Sequence, residues 1–120
     1  MMTNITVLNP GQSIGEVADI VLSGTETHFV VSENGEVRGV LYQSDFIDAM
    51  KGKNTQAAVK DFMTTDFEKV GLNEDLAEFY RKVRAKNINF FPVLEDDQLK
   101  GAIDFNNINE YMLIRSSLDY

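Results

Sequence analysis

Apolar and polar positions follow one plan in two places along the chain. Residues 28–45, HFVVSENGEVRGVLYQSD, read as an apolar strand, a polar turn, a second strand passing through a glycine, and a polar opening to a helix. Residues 90–107, FFPVLEDDQLKGAIDFNN, repeat that order. One copy slides onto the other without a gap: Phe29 onto Phe91, Val31 onto Val93, Glu33 onto Glu95, Gly39 onto Gly101, Asp45 onto Asn107 and Met50 onto Met112, all at an offset of 62 residues. An internal repeat sets the architecture before any single element does.

The rest of the chain falls into the same frame. Ile5 to Leu8 is a short β-prone stretch that Asn9-Pro10-Gly11 interrupts. Ser13-Ile14-Gly15-Glu16 has the form of a capping box. The helix it predicts carries Ile14, Val17, Ala18 and Val21 on one face and ends at Gly24. Phe29 to Val31 and Val37 to Tyr42 flank Asn34-Gly35, a pair suited to the tight turn of a β-hairpin. Ser44 or Asp45 caps the next helix, with Phe46, Ile47 and Met50 inward. Lys51 to Gln56 reads as a linker, and Ala57 to Met63 as a short helix. The second unit starts with a lead-in strand over Phe67 to Leu72. Asp75-Leu76-Ala77-Glu78 then opens a helix with Leu76, Phe79, Tyr80 and Val83 on its apolar face. A hairpin follows from Phe90 to Ile103, with Asp96-Asp97 at its turn, and then a last helix capped at Asn107 that buries Ile108, Tyr111 and Met112. The expected fold class is α+β: two pseudo-symmetric βαββα repeats packed through their sheets, residues 1–56 with the linker and residues 57–120.

Bulk properties narrow the function. At 43% hydrophobic and 25% charged residues, the composition is that of a globular domain. Each half alone is too small for a secure core, so the halves are expected to pack together. The net charge of −8 argues against nucleic acid, which needs a basic surface to displace counterions, and against anionic membranes. It leaves room for a small phosphate ligand. With no cysteine, disulfides, thiolate catalysis and cysteine zinc sites are excluded. The expected location is the cytoplasm, with no signal peptide and no membrane insertion. Glu95-Asp96-Asp97 lacks the spacing of a calcium loop and reads as an exposed acidic turn. His28, the sole histidine, reads as a strand-edge residue. Arg81, Lys82, Arg84 and Lys86 read as a solvated helix face.

Phe91-Pro92-Val93 with Leu99-Lys100-Gly101, the matching Phe29-Val30-Val31 with Val37-Arg38-Gly39, and the join Val59-Lys60-Asp61-Phe62-Met63-Thr64 resemble a tandem pair of cystathionine-β-synthase (CBS) domains, or Bateman module, over Ile5 to Leu113. Gly101 to Asp104, with Asn107-Ile108 and Glu110-Tyr111, is similar to the end of the CBS pair attached to some site-2-type membrane metalloproteases. The chain shows neither their protease motif nor a membrane segment.

The resemblance implies an adenosine-containing ligand between the repeats: AMP, ADP, ATP or S-adenosylmethionine. The family pattern places a ribose-binding aspartate three residues after a Thr or Ser. A carboxylate there accepts from both ribose hydroxyls, and the adjoining helix N-terminus suits phosphate. In the first repeat Asp45 fits, Ser44 adjoins it, and the Thr/Ser position holds the bulkier Tyr42. In the second repeat the ribose position is Asn107, and Asp104 at the Thr/Ser position would repel a phosphate. At most one good site per chain is therefore expected, centred on Asp45, whose other role is helix capping. By the same likeness Thr6 and Val7 would border the base and Phe91 and Pro92 enclose it. Plain core packing also accounts for those four. Lys51, Lys53 and Lys60 are candidate phosphate partners that a solvated linker explains better.

The function this reading implies is a regulatory, nucleotide-sensing module, a homodimer that acts on an enzyme or membrane protein. The alternative is a dimerisation module without ligand. No nucleophile, base and oxyanion group can be assembled into an enzyme, and no cofactor is required.

Overall fold

The structure, a computed structural model, describes residues 6–24, 26–86, 88 and 90–104. The helix expected from Asn107 onward, and Asn107 itself, lie outside the described residues. In chain order come β1 (Val7–Leu8), α1 (Ile14–Ser23), β2 (Phe29–Glu33), β3 (Glu36–Leu41), α2 (Gln43–Lys51), β4 (Val70–Gly71), α3 (Leu76–Val83), β5 (Phe90–Glu95) and β6 (Gln98–Asp104). Single 3-10 turns occupy Val59–Asp61 and Arg84–Lys86.

The helices start where their caps lie. Ser13 Oγ accepts from the Glu16 amide at 3.2 Å, and Glu16 Oε1 accepts from the Ser13 amide at 3.3 Å. Two amides that the first turn would leave unpaired are thereby satisfied. Asp75 opens α3 by accepting from Ala77 and Glu78. Gly24 follows α1 but is extended, with φ −135°, so it does not form the left-handed cap expected of it.

Each half forms a three-stranded sheet, β1-β2-β3 and β4-β5-β6, with a parallel first pair and an antiparallel hairpin. The hairpins match residue for residue. Phe29 pairs Leu41 as Phe91 pairs Ile103, Val31 pairs Gly39 as Val93 pairs Gly101, and both ladders shift at the next residue. Asn34 and Gly35 turn the first hairpin at φ 56° and 84°, and Asp96 and Asp97 turn the second at 52° and 63°. This is the double positive-φ geometry of a two-residue hairpin turn.

Strand alternation divides the core into three layers. Phe29, Val31 and Leu41 face α1 and α2 with Ile14, Val17 and Ala49. Phe91, Val93 and Ile103 face α3 with Phe79 and Val83. The opposite sheet faces meet between the halves, where Val30, Val40, Phe90 and Ala102 are buried with Val37, Tyr42, Phe67 and Leu99 around them. The Leu99 amide also donates to the Gly35 carbonyl at 3.2 Å across that interface.

Three expectations need correction. The lead-in strand is only Val70–Gly71, and the stretch from Ala57 to Met63 contains a 3-10 turn, not an α-helix. Ala57, Val59, Phe62 and Met63, in the join between the units, pack against the core of the first. On α2 the buried side is Phe46 and Ala49, while Ile47 and Met50 are 42% and 38% exposed.

Candidate ligand cleft between the repeats

The site forms where β3 ends against the run that leads into the second repeat. Val40 and Thr64 exchange both backbone hydrogen bonds at 2.9 Å. A side chain at Gly39 could not fit beneath that crossing: a Cβ there would lie 2.8 Å from the Thr64 carbonyl oxygen and 2.9 Å from Met63 Sδ. The glycine thus lets Thr64 reach α2, where its hydroxyl donates to Asp45 Oδ2 at 2.9 Å.

The same carboxylate oxygen accepts from the Tyr42 amide at 3.0 Å. The helix cap is therefore Tyr42, and neither Ser44 nor Asp45 occupies that position. Asp45 sits one turn in and reaches back to the cap amide, as the acidic member of a capping box does. Ser44 is exposed.

Three aromatic side chains cluster where the start of α2 meets the second repeat. His28 stacks on Phe90 with centroids 5.4 Å apart and meets Tyr42 edge-on at 6.1 Å. At the offset of 62, His28 and Phe90 are equivalent positions, so the stack lies where the two halves mirror each other. The Gln43 amide donates to His28 Nδ1 at 3.1 Å, which requires that nitrogen to be unprotonated. Burial pushes the His28 pKa down from its ordinary value, and the charge of Asp104 partly opposes this. Tyr42 is pushed up to about 12 by burial, then by the charges of Asp45 and Glu68. Its hydroxyl is buried and meets no hydrogen-bonding partner among the described residues. Leaving such a group unpaired costs about 1–3 kcal/mol. Glu68 in turn binds Lys86 Nζ at 3.0 Å.

The remaining sequence candidates are dispersed. Thr6 and Val7 lie on or beside β1, at the sheet edge opposite β3. There Thr6 donates to Glu26 through both its amide and its hydroxyl, at 3.2 and 2.7 Å. Phe91 is turned into the core of its own half, edge-on to Phe79 at 4.9 Å, and its neighbour Phe90 takes the place at the cleft. Pro92 is buried opposite Ala102. Asp104 ends β6 opposite Phe90. Lys51, Lys53 and Lys60 are exposed.

The structure thus gathers Tyr42 and Asp45, sets Asp104 within electrostatic reach through His28, and adds Thr64, Phe90, His28 and Glu68. The offset of 62 that pairs His28 with Phe90 was the signal for the ring stack. No pattern in the sequence pointed to Glu68.

A second groove, of about 310 Å³, lies at the turn end of the same interface and is lined by Glu36, Val37, Phe67, Lys69, Leu94 and Gln98 among others. Among the described residues no group of acids and histidine is placed to hold a metal ion, and no helix is long and apolar enough to cross a membrane.

Comparison with known proteins agrees with the repeat. The chain is 22% identical over 110 residues to the CBS domain-containing protein YhcV of Bacillus subtilis (strain 168), covering 90% of this chain and 79% of that one. The crystal structure of the CBS-domain containing protein ATU1752 from Agrobacterium tumefaciens superposes with a TM-score of 0.79 at 22% identity, covering 91% of this chain and 90% of the other. The CBS domain pair of protein MJ0100, solved in complex with 5′-methylthioadenosine and S-adenosyl-L-methionine, gives a TM-score of 0.80 at 18% identity, covering 95% and 93% of the two chains. Residues 1–52 and 59–114 each match the CBS domain, one match per half, and the chain therefore belongs to the CBS domain family.

Proposed function

We propose that this CBS pair is a regulatory, non-catalytic module that senses an adenosine-containing ligand in the Asp45 cleft. The observation that carries the reading is the double use of Asp45 Oδ2 by Tyr42 of the first repeat and Thr64 of the lead-in to the second. A ribose diol takes a carboxylate through both oxygens, so a ligand on Asp45 competes with the Thr64 hydroxyl. Binding is thereby coupled to the way the second repeat is tethered to the first. Different affinity for two such arrangements shifts their populations and changes how the module packs on itself or on a regulated partner. The two sensing units divide near residue 56, and the working assembly is a homodimer in the cytoplasm.

The second reading is a dimerisation module without ligand. It is favoured by the way His28, Tyr42 and Phe90 fill the cleft with one another, and by the exposure of Ile47 and Met50 on α2.

Calorimetry with AMP, ADP, ATP and S-adenosylmethionine on the wild type and on Asp45→Ala separates the two. Saturable heat with the wild type, lost in the variant, is the expected result, together with a thermal midpoint that climbs with ligand concentration. Silence with every ligand, from a protein that stays dimeric by light scattering, would favour the second reading.

A further inference from the structure

We propose that His28 is a proton-operated latch between the two repeats: as a neutral ring it ties the opening of α2 to the second repeat, and as a cation it lets α2 go. Its imidazole makes two contacts of different kinds. Nδ1 accepts from the Gln43 amide at 3.1 Å, and the ring face stacks on Phe90 with centroids 5.4 Å apart. Gln43 is the first residue of α2, so its amide is one of those that a helix start leaves without an intrahelical partner. His28 supplies that partner from fifteen positions away. Phe90 opens β5 in the other half. One side chain thus bridges the repeats.

Only one of the two contacts survives protonation. A proton on Nδ1 turns the acceptor into a donor, and two donors then face each other. The positive end of the α2 dipole adds to the repulsion. The stack on Phe90 tolerates the cation, because an aromatic face attracts positive charge. His28 lies just before β2, whose first ladder pair is Phe29 with Leu41, so its ring can turn from Gln43 without a change in strand pairing. Gln43 follows Tyr42, whose amide Asp45 holds with the same oxygen that takes the Thr64 hydroxyl. Loosening the first turn of α2 therefore loosens the tether to the second repeat.

Other titratable groups bear on this corner from each element around it. Tyr42 meets the ring edge-on from the opening of α2. Asp104 of β6 lies opposite Phe90 and is itself engaged in another contact. Glu68, whose charge acts on Tyr42, is held by Lys86. Asp104 favours the cation and burial opposes it, with burial the larger influence. The neutral, bridging form is therefore the resting one near neutrality, and acid releases it.

The test is an NMR titration of the full chain from about pH 8 to about pH 5, the range in which an imidazole changes charge. Histidine occurs once in the chain, so its ring signal is unambiguous and the wild type alone is decisive. The imidazole should titrate with a midpoint below 6.5, and the Gln43 amide shift should follow with the same midpoint. Hydrogen exchange at Gln43, corrected for its intrinsic pH dependence, should rise about threefold to tenfold on protonation, as loss of one hydrogen bond implies. The Glu16 amide, capped by Ser13 at the start of α1, should not respond. His28→Gln keeps an acceptor without a titrating ring and should hold Gln43 protected at both ends of the range. His28→Phe keeps a ring against Phe90 without an acceptor, and should show at pH 8 the exchange that the wild type reaches only in acid. A Gln43 amide that ignores the imidazole titration would overturn the proposal. So would a response shared equally by Glu16, or one that persists in His28→Gln.

Discussion

Single residues in this protein are set by what their neighbours require of them. His28 accepts a hydrogen bond as a neutral ring, and burial lowers its pKa below the ordinary value near 6.5. The unfolded chain therefore takes up that proton at a higher pH than the folded one. Its contribution to stability is intact above about pH 6.5 and is lost as pH falls from there toward the lowered folded value. Urea midpoints measured at pH 7.5 and 5.5 should drop more for the wild type than for His28→Gln, which keeps an acceptor but does not titrate. Asp97 poses a backbone problem. It holds φ 63° without the freedom of the glycine at the equivalent Gly35. A left-handed non-glycine residue costs roughly 1–2 kcal/mol, part of which glycine returns as chain entropy. Asp97→Gly should therefore stabilise the protein by about 0.5–1 kcal/mol in chemical denaturation.

At the scale of elements, the caps and the crossing at Gly39 determine where segments begin and how they meet. Ser13→Ala removes one side of a reciprocal cap and should cost about 1 kcal/mol. Gly39→Ala acts differently, because its added methyl group meets backbone at Thr64 and the Met63 side chain. The expected loss is about 1–3 kcal/mol. Hydrogen exchange should locate it in the Val40 and Thr64 amides, which bond each other's carbonyls. Since a ligand on Asp45 competes with the Thr64 hydroxyl, this variant should tighten ligand binding even as it lowers stability, whereas Ser13→Ala should leave binding unchanged. That contrast separates a change at Asp45 from general loss of stability.

At the scale of the whole molecule, the two halves share a layer that neither completes alone. Val30 and Val40 from one sheet and Phe90 and Ala102 from the other are buried only because the sheets meet. The hairpins, their register and the starts of α1 and α3 were legible in the chain, because each depends on residues close in sequence: alternation along a strand, a cap beside its helix, Asn-Gly at a turn. The packing of α2 was not legible, since a helical stripe containing Phe46, Ile47, Ala49 and Met50 permits more than one buried face. Nor was the cleft: Phe91 and Phe90 are neighbours of the same type, and the side of the sheet that each one faces follows from strand pairing with the other elements in place.

The amino-acid order by itself determined that there are two equivalent units, what each contains and that neither buries enough surface to stand alone. All of that follows from periodicity and local hydrogen bonding, which act over a few residues. The tertiary structure alone decided that Thr64 bonds to Asp45, nineteen positions away, and that His28 stacks on its counterpart Phe90. Those contacts arise from the docking of one half on the other, and docking brings together residues whose separation along the chain carries no information about their distance in space.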